Sequence, residues 1–206
     1  MDFEETLKQL ADKAQQGRIE NTYRPTEEEQ KKSALLMNNW GYEPLNIELF
    51  KRLCGYFTGY RLGKYKKGIA MFGPNGIGKT YFLKRILRSP LYRCKDLASV
   101  YRDDETKFRD LVSRQAGQYD IIPEGHLELS IDEVGEENPV NDFGNKSEVF
   151  AEILQIRHSV FEKYNGITHF SSNLTRDEFN ERYGARCLSR INQMCFSIDL
   201  TGDDLR

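Results

Sequence analysis

Residues Met71–Phe82 read "MFGPNGIGKTYF", placing three glycines, a proline and one lysine between apolar residues. As a plain turn the stretch is wasteful, because each glycine loses more backbone entropy on folding than any other residue. The preceding "KKGIA" leads into "MF" as a short apolar strand, and the following "TYFLKRIL" has helical spacing, with Phe82, Leu83, Ile86 and Leu87 on one side. Strand, glycine-rich loop and helix form the context in which a G-x-x-x-x-G-K-[ST] pattern carries meaning, and the match is Gly73, Gly78, Lys79 and Thr80. Glycines let successive N–H groups turn inward as an anion nest, and the helix N-terminus adds its partial positive charge. Lys79 then serves the β- and γ-phosphates and the Thr80 hydroxyl serves Mg²⁺. The pattern predicts a nucleoside triphosphate site.

The rest of the chain bounds what that site belongs to. Its 206 residues, 38% apolar and 30% charged, suit one domain with a small appendage. No apolar run approaches the roughly 18 residues of a membrane span. The opening "MDFEETLKQLADKAQQ" is charged and amphipathic, unlike a signal peptide, so a cytoplasmic location away from membranes is expected. Cys54, Cys94, Cys187 and Cys195 show no C-x-x-C spacing and read as reduced thiols. His126, His158 and His169 form no metal-ligand pattern.

Net charge is −2, but from Phe50 to Lys95 there is no acidic residue. The basic residues there are Lys51, Arg52, Arg61, Lys64, Lys66, Lys67, Lys79, Lys84, Arg85, Arg88, Arg93 and Lys95, interleaved with Tyr56, Phe57, Tyr60 and Tyr65. Such a block suits a single-stranded nucleic acid, cations on phosphates and rings on bases; a solvated helix face beside an anionic nucleotide is the competing reading.

Residues 1–45 read as a helical N-terminal extension and residues 46–206 as an α/β core. In the extension, residues 2–16 suggest one amphipathic helix, and Thr26 with Glu29 makes a capping box for a second. A third helix follows Asn46. The core runs as a strand at 68–72, the loop, a helix at 79–88, a strand near "LYRC", helix over 96–114, a strand in "HLELSIDEVG", a helix over 146–164, the strand "ITHFSS", helix over 176–193 and the closing strand "MCFSIDL". Strands alternating with helices predict a mostly parallel five-stranded sheet flanked by helices.

Hydrolysis needs more than a phosphate loop. Asp132 and Glu133 end the apolar strand in "LELSIDEVG", where Asp132 suits the Mg²⁺ shell and Glu133 suits polarising the attacking water. Asn173, ending "THFSSN", suits the γ-phosphate and the lytic water, or else caps the next helix, a task Ser172 or Thr175 also fits. Arg186 and Arg190 fall one helical turn apart, either to pair with Glu133 or Asp177 or to reach a neighbouring subunit's nucleotide.

The segments "GPNGIGKT", "IDEVGEE", "SSNLT", "YGARCLSRINQM" and "LTGDDLR", in this order over roughly residues 45–206, resemble the AAA+ ATPases. More narrowly they look like the DnaC/DnaI helicase loaders and the IstB transposition ATPases. The resemblance implies a P-loop NTPase, specifically an AAA+ core without a C-terminal lid domain. It implies a Walker A nucleotide contact built from Gly73, Pro74, Asn75, Gly76, Ile77, Gly78, Lys79 and Thr80 with Tyr81 next in line, Walker B Asp132 and Glu133, sensor Asn173, and Arg190 as arginine finger with Arg186 beside it. ATP and Mg²⁺ are the implied cofactors, with a head-to-tail homo-oligomer and a replicative helicase or a transposase as client. A nucleotide-gated binding module with negligible turnover is the reading of another class. The Asp132–Glu133 pair favours turnover over it.

Overall fold

The computed structural model describes residues 23–42, 47–114, 127–142 and 145–200. The helix expected over residues 2–16, the cap at Asn46 and the final "TGDDLR" lie outside the described residues.

Strand β1 (Gly68–Phe72) is buried along its whole length. Its alternating side chains serve two cores: Ile69 and Met71 join one apolar cluster, Ala70 and Phe72 the other. A strand covered on both faces is what an unbroken apolar run encodes. Around it stand β2 (Leu91–Arg93), β3 (Leu129–Val134), β6 (Thr168–Ser172) and β7 (Cys195–Asp199) in the order β2-β3-β6-β1-β7. All four pairings are parallel. The five expected strands are present, and the closing strand pairs beside the first, Gly68 opposite Cys195.

On one face lie α1 (Glu27–Asn39), α2 (Ile47–Arg61) and the helix after the loop, burying Met37, Leu53, Phe57, Phe82 and Leu83 with Ile69 and Met71. Helix α1 begins at the expected box: Glu29 N–H donates to Thr26 Oγ1 at 3.3 Å, and Thr26 N–H donates to Glu29 Oε2 at 2.8 Å. On the other face lie α4 (Cys94–Asp103), α5 (Glu105–Ser113), α6 (Val149–Tyr164), α7 (Arg176–Tyr183) and α8 (Ala185–Met194). Among the described residues no helix is long and apolar enough to cross a membrane.

Helix boundaries differ from expectation where side chains intervene. The helix after the loop is one α-turn, α3 (Lys79–Tyr81), continued as a π-helix over Phe82–Leu87. The single helix expected over 96–114 is two, because Asp104 is extended and its carboxylate accepts the Lys107 N–H at 2.9 Å as a new N-cap. The helix expected over 176–193 breaks at Gly184, whose φ of 83° only glycine adopts at little cost. The helix expected from 146 begins at Val149, because β5 (Asn145–Ser147) pairs antiparallel with β4 (Val140–Asp142).

Candidate nucleotide site

The phosphate loop leaves the carboxyl end of β1 and turns through Gly73, Gly76 and Gly78, all at positive φ. At Gly73 a side chain is excluded twice, by its φ of 135° and by the Leu200 carbonyl oxygen, 2.2 Å from where a Cβ would stand. Pro74, Asn75, Thr80 and Tyr81 are exposed, whereas Ile77 is buried as the loop's apolar anchor. Lys79 is buried, and its ammonium donates to the carbonyls of Gly73 at 2.7 Å and Pro74 at 2.6 Å. The cation thus sits inside the curl that the glycines make. Tyr81 Oη donates to the Trp40 carbonyl at 2.8 Å, and the Tyr42 ring lies beside Gly78, so residues 40–42 run along the flank of the loop.

Two strands away, β3 delivers the carboxylates. Asp132 is buried and accepts a short hydrogen bond from Ser171 Oγ on β6. At Glu133 the strand bulges: the β3–β6 register shifts between Ile131 and Val134, and Glu133 takes a φ of 58°. A left-handed non-glycine residue costs of order 1–3 kcal/mol and persists only where its surroundings hold it, a pattern concentrated at functional sites. The bulge re-aims the side chain. Glu133 Oε2 is buried without a hydrogen-bond partner, with Lys95 Nζ at 3.5 Å as its ion pair. A buried carboxylate oxygen lacking a proton donor is what a water-activating base requires.

Asn173 follows β6, the strand between β1 and β3, and its amide donates a short hydrogen bond to Glu136. It does not cap α7. Thr175 does, with Glu178 completing a second capping box. The loop, Asp132, Glu133 and Asn173 therefore gather at the carboxyl ends of three adjacent parallel strands, where open α/β sheets bind ligands. Arg186 and Arg190 stand apart on α8, Arg186 exposed and Arg190 partly so. Cys187 lies between them; burial raises its thiol pKa, and both guanidiniums oppose the rise. Glu133 pairs with Lys95 rather than with either arginine.

Four neighbours of the site escaped sequence reasoning: Lys95 on Glu133, Glu136 on Asn173, Ser171 on Asp132, and Trp40–Tyr42 along the loop. Glu136 and Ser171 lay within motifs that the sequence made legible, "IDEVGEE" and "SSNLT". The rings of the basic block also need correcting. Tyr56, Phe57 and Tyr65 are core residues, so these three rings offer no free stacking face; Tyr60 is partly buried, stacks on Tyr56 and donates to Glu128 at 2.6 Å. Lys51, Arg52, Arg61, Lys64 and Lys66 remain exposed.

The parallel order β2-β3-β6-β1-β7, with a glycine loop after β1, is a P-loop NTPase fold. Among solved structures the chain resembles the DnaC helicase loader (TM-score 0.57, 16% identity, 78% of this chain and 94% of that one). It also resembles a putative primosome component from Streptococcus pyogenes serotype M3 (TM-score 0.54, 18% identity, 78% and 81%). A third likeness is to DnaI (TM-score 0.52, 21% identity, 77% and 88%). No family model and no curated protein matches the sequence. The likeness is one of fold.

Proposed function

We propose that this chain binds ATP with Mg²⁺, hydrolyses it, and couples the cycle to DNA replication in the manner of a helicase loader that contacts single-stranded DNA. The observation that carries the reading is the strained, unsatisfied Glu133 at the end of β3, close in the sheet to a glycine loop with its lysine folded inside. A phosphate-binding structure alone has no use for that glutamate.

Each group has a task. Loop N–H groups and Lys79 bind the β- and γ-phosphates, for which the ammonium exchanges its two carbonyl partners. The donor set fits Mg²⁺, a hard cation that takes oxygen ligands: Thr80 offers a hydroxyl, and Asp132 a buried carboxylate with Ser171 on one oxygen. Bound there, Mg²⁺ neutralises charge on the phosphate oxygens. Glu133 accepts a proton from the attacking water, and Asn173 orients that water and the γ-phosphate. Arg190, with Arg186 beside it, projects from α8 toward the nucleotide of the next copy in a head-to-tail assembly, stabilising transition-state charge.

Phosphate release with and without single-stranded DNA tests the reading; turnover that no DNA changes sinks the DNA half, and no turnover sinks the whole. Reversing the exposed Lys51, Lys64 and Lys66 should flatten the salt dependence of DNA binding by about 0.7 in log–log slope for each DNA phosphate that the protein no longer neutralises. Pulldown of a replicative helicase supports the loader role; capture of a transposase instead moves the chain to the other client class.

A further inference from the structure

Glu137 is a carboxylate that the chemistry above does not use, and its side chain is 0% exposed. Burying a charge is costly unless it is fully partnered. Its Oε2 accepts the Gly135 N–H at 2.8 Å, and its Oε1 accepts a short hydrogen bond from Tyr183 Oη. Arg182 Nη2 stands 3.6 Å from the same Oε1 and donates to the Glu137 carbonyl at 2.6 Å, while Nη1 donates to the Gly135 carbonyl. Glu148, just before α6, anchors that guanidinium at 3.0 Å. The Cys94 thiol also faces Glu137, its pKa raised first by burial and then by that negative charge.

These partners come from three elements that surround Glu133. Gly135 lies two residues beyond it, on the turn that must keep Glu133 at a φ of 58°. Cys94 opens α4 and is followed by Lys95, the ion-pair partner of Glu133. Arg182 and Tyr183 end α7, directly before Gly184 and the helix that carries Arg186 and Arg190.

We propose that Glu137 is a positioning residue: it holds Glu133 in its left-handed turn through Gly135, and ties that turn to the arginine-bearing helix through Arg182 and Tyr183. The inference rests on Glu133 acting as the base in ATP hydrolysis. It adds a control point in a residue that does not itself meet the nucleotide.

The test uses the full chain carrying Glu137→Gln, which keeps the volume but removes the charge and one acceptor. Misplacing a base by an ångström costs about a hundredfold, so kcat should fall by that order while KM and the affinity for a fluorescent ATP analogue stay within about twofold. A merely structural residue would also loosen binding and lower the melting temperature. The decisive arm repeats the substitution in a Glu133→Gln background under single-turnover conditions. If Glu137 acts through Glu133, the second substitution costs nothing further, within about threefold; a second full loss means independent action and overturns the proposal. Should Glu137→Gln fail to fold, Tyr183→Phe removes one donor without a polar mismatch and should cut kcat about tenfold at unchanged ATP affinity, again only when Glu133 is intact. Wild-type turnover in either folded variant overturns the proposal. If Glu133→Gln alone hydrolyses ATP within about threefold of wild type, the base assignment has failed and takes the positioning role with it. If Glu133→Gln is inactive and the Glu137 loss adds to it, only the positioning role fails.

Discussion

Lys95 Nζ stands 3.5 Å from Oε2 of Glu133, an oxygen that is otherwise buried and without a hydrogen-bond partner. The lysine thereby occupies the oxygen that, in the proposed reaction, receives a proton from water. Both side chains are partly exposed, 44% and 32%, so the pair contributes under about 1 kcal/mol to stability. Lys95→Met should therefore leave the melting temperature within about 2 °C of wild type. Basal phosphate release should rise about three- to tenfold as Glu133 is freed. A fall in turnover would show instead that Lys95 orients the base.

Glu133→Gln should retain ATP while slowing hydrolysis by about 10²–10⁴, the usual contribution of a positioned base. An ATP-affinity titration beside a phosphate-release assay separates the two effects. Turnover near wild type would move the role to another carboxylate, with Glu136 the first candidate because it holds Asn173.

Lys79→Ala removes the cation from the loop together with its hydrogen bonds to Gly73 and Pro74. Nucleotide affinity should drop at least about tenfold, since a charge-assisted hydrogen bond is worth about 1.5–3 kcal/mol. Unchanged affinity in a calorimetric titration would sink the phosphate-loop assignment.

Arg190→Ala should spare monomer folding and ATP binding, because α8 carries that residue on its solvent side and its buried face is Cys187, Ile191 and Met194. Turnover should fall by about 10³ or more, as loss of a finger does. Mixing Arg190→Ala with Glu133→Gln subunits should restore part of the activity, because one interface then joins an intact Glu133 to an intact Arg190. No recovery at any mixing ratio, in a sample shown to oligomerise, would count against action between subunits.

Arg157 tests the frame rather than the site. This wholly buried guanidinium on α6 donates to Thr168 Oγ1 at 2.8 Å and to the carbonyls of Val112, Leu127 and Ile167. Arg157→Leu strands those acceptors and should cost about 3–5 kcal/mol, roughly 10 °C in melting temperature for a chain of this size. A variant melting like wild type would mean that these hydrogen bonds contribute nothing net.

Where one residue's neighbours along the chain fix its structure, the sequence alone was enough. Thr26 and Glu29 are three residues apart, so their capping box could be read directly. The apolar runs of β1 and β3 and the glycine spacing of the loop are likewise local, and from them follow a parallel sheet and a phosphate-binding turn. Composition also marked the stretch from Phe50 to Lys95 as basic and aromatic, but it could not say where the rings go. A tyrosine stacks on a base or fills a core depending on which helix face packs on the sheet, and packing sent Tyr56 and Tyr65 inward.

The tertiary structure alone decided how the Glu133 carboxylate is held. The 58° φ of Glu133, its pairing with Lys95 and the burial of Glu137 against Tyr183 join residues 38 to 46 positions apart, or set a backbone angle through them. Side-chain period reports which face a residue takes, not what the facing element brings to it. A buried charge is stabilised only by partners that folding carries into reach, so the identity of those partners is settled by packing and by nothing earlier.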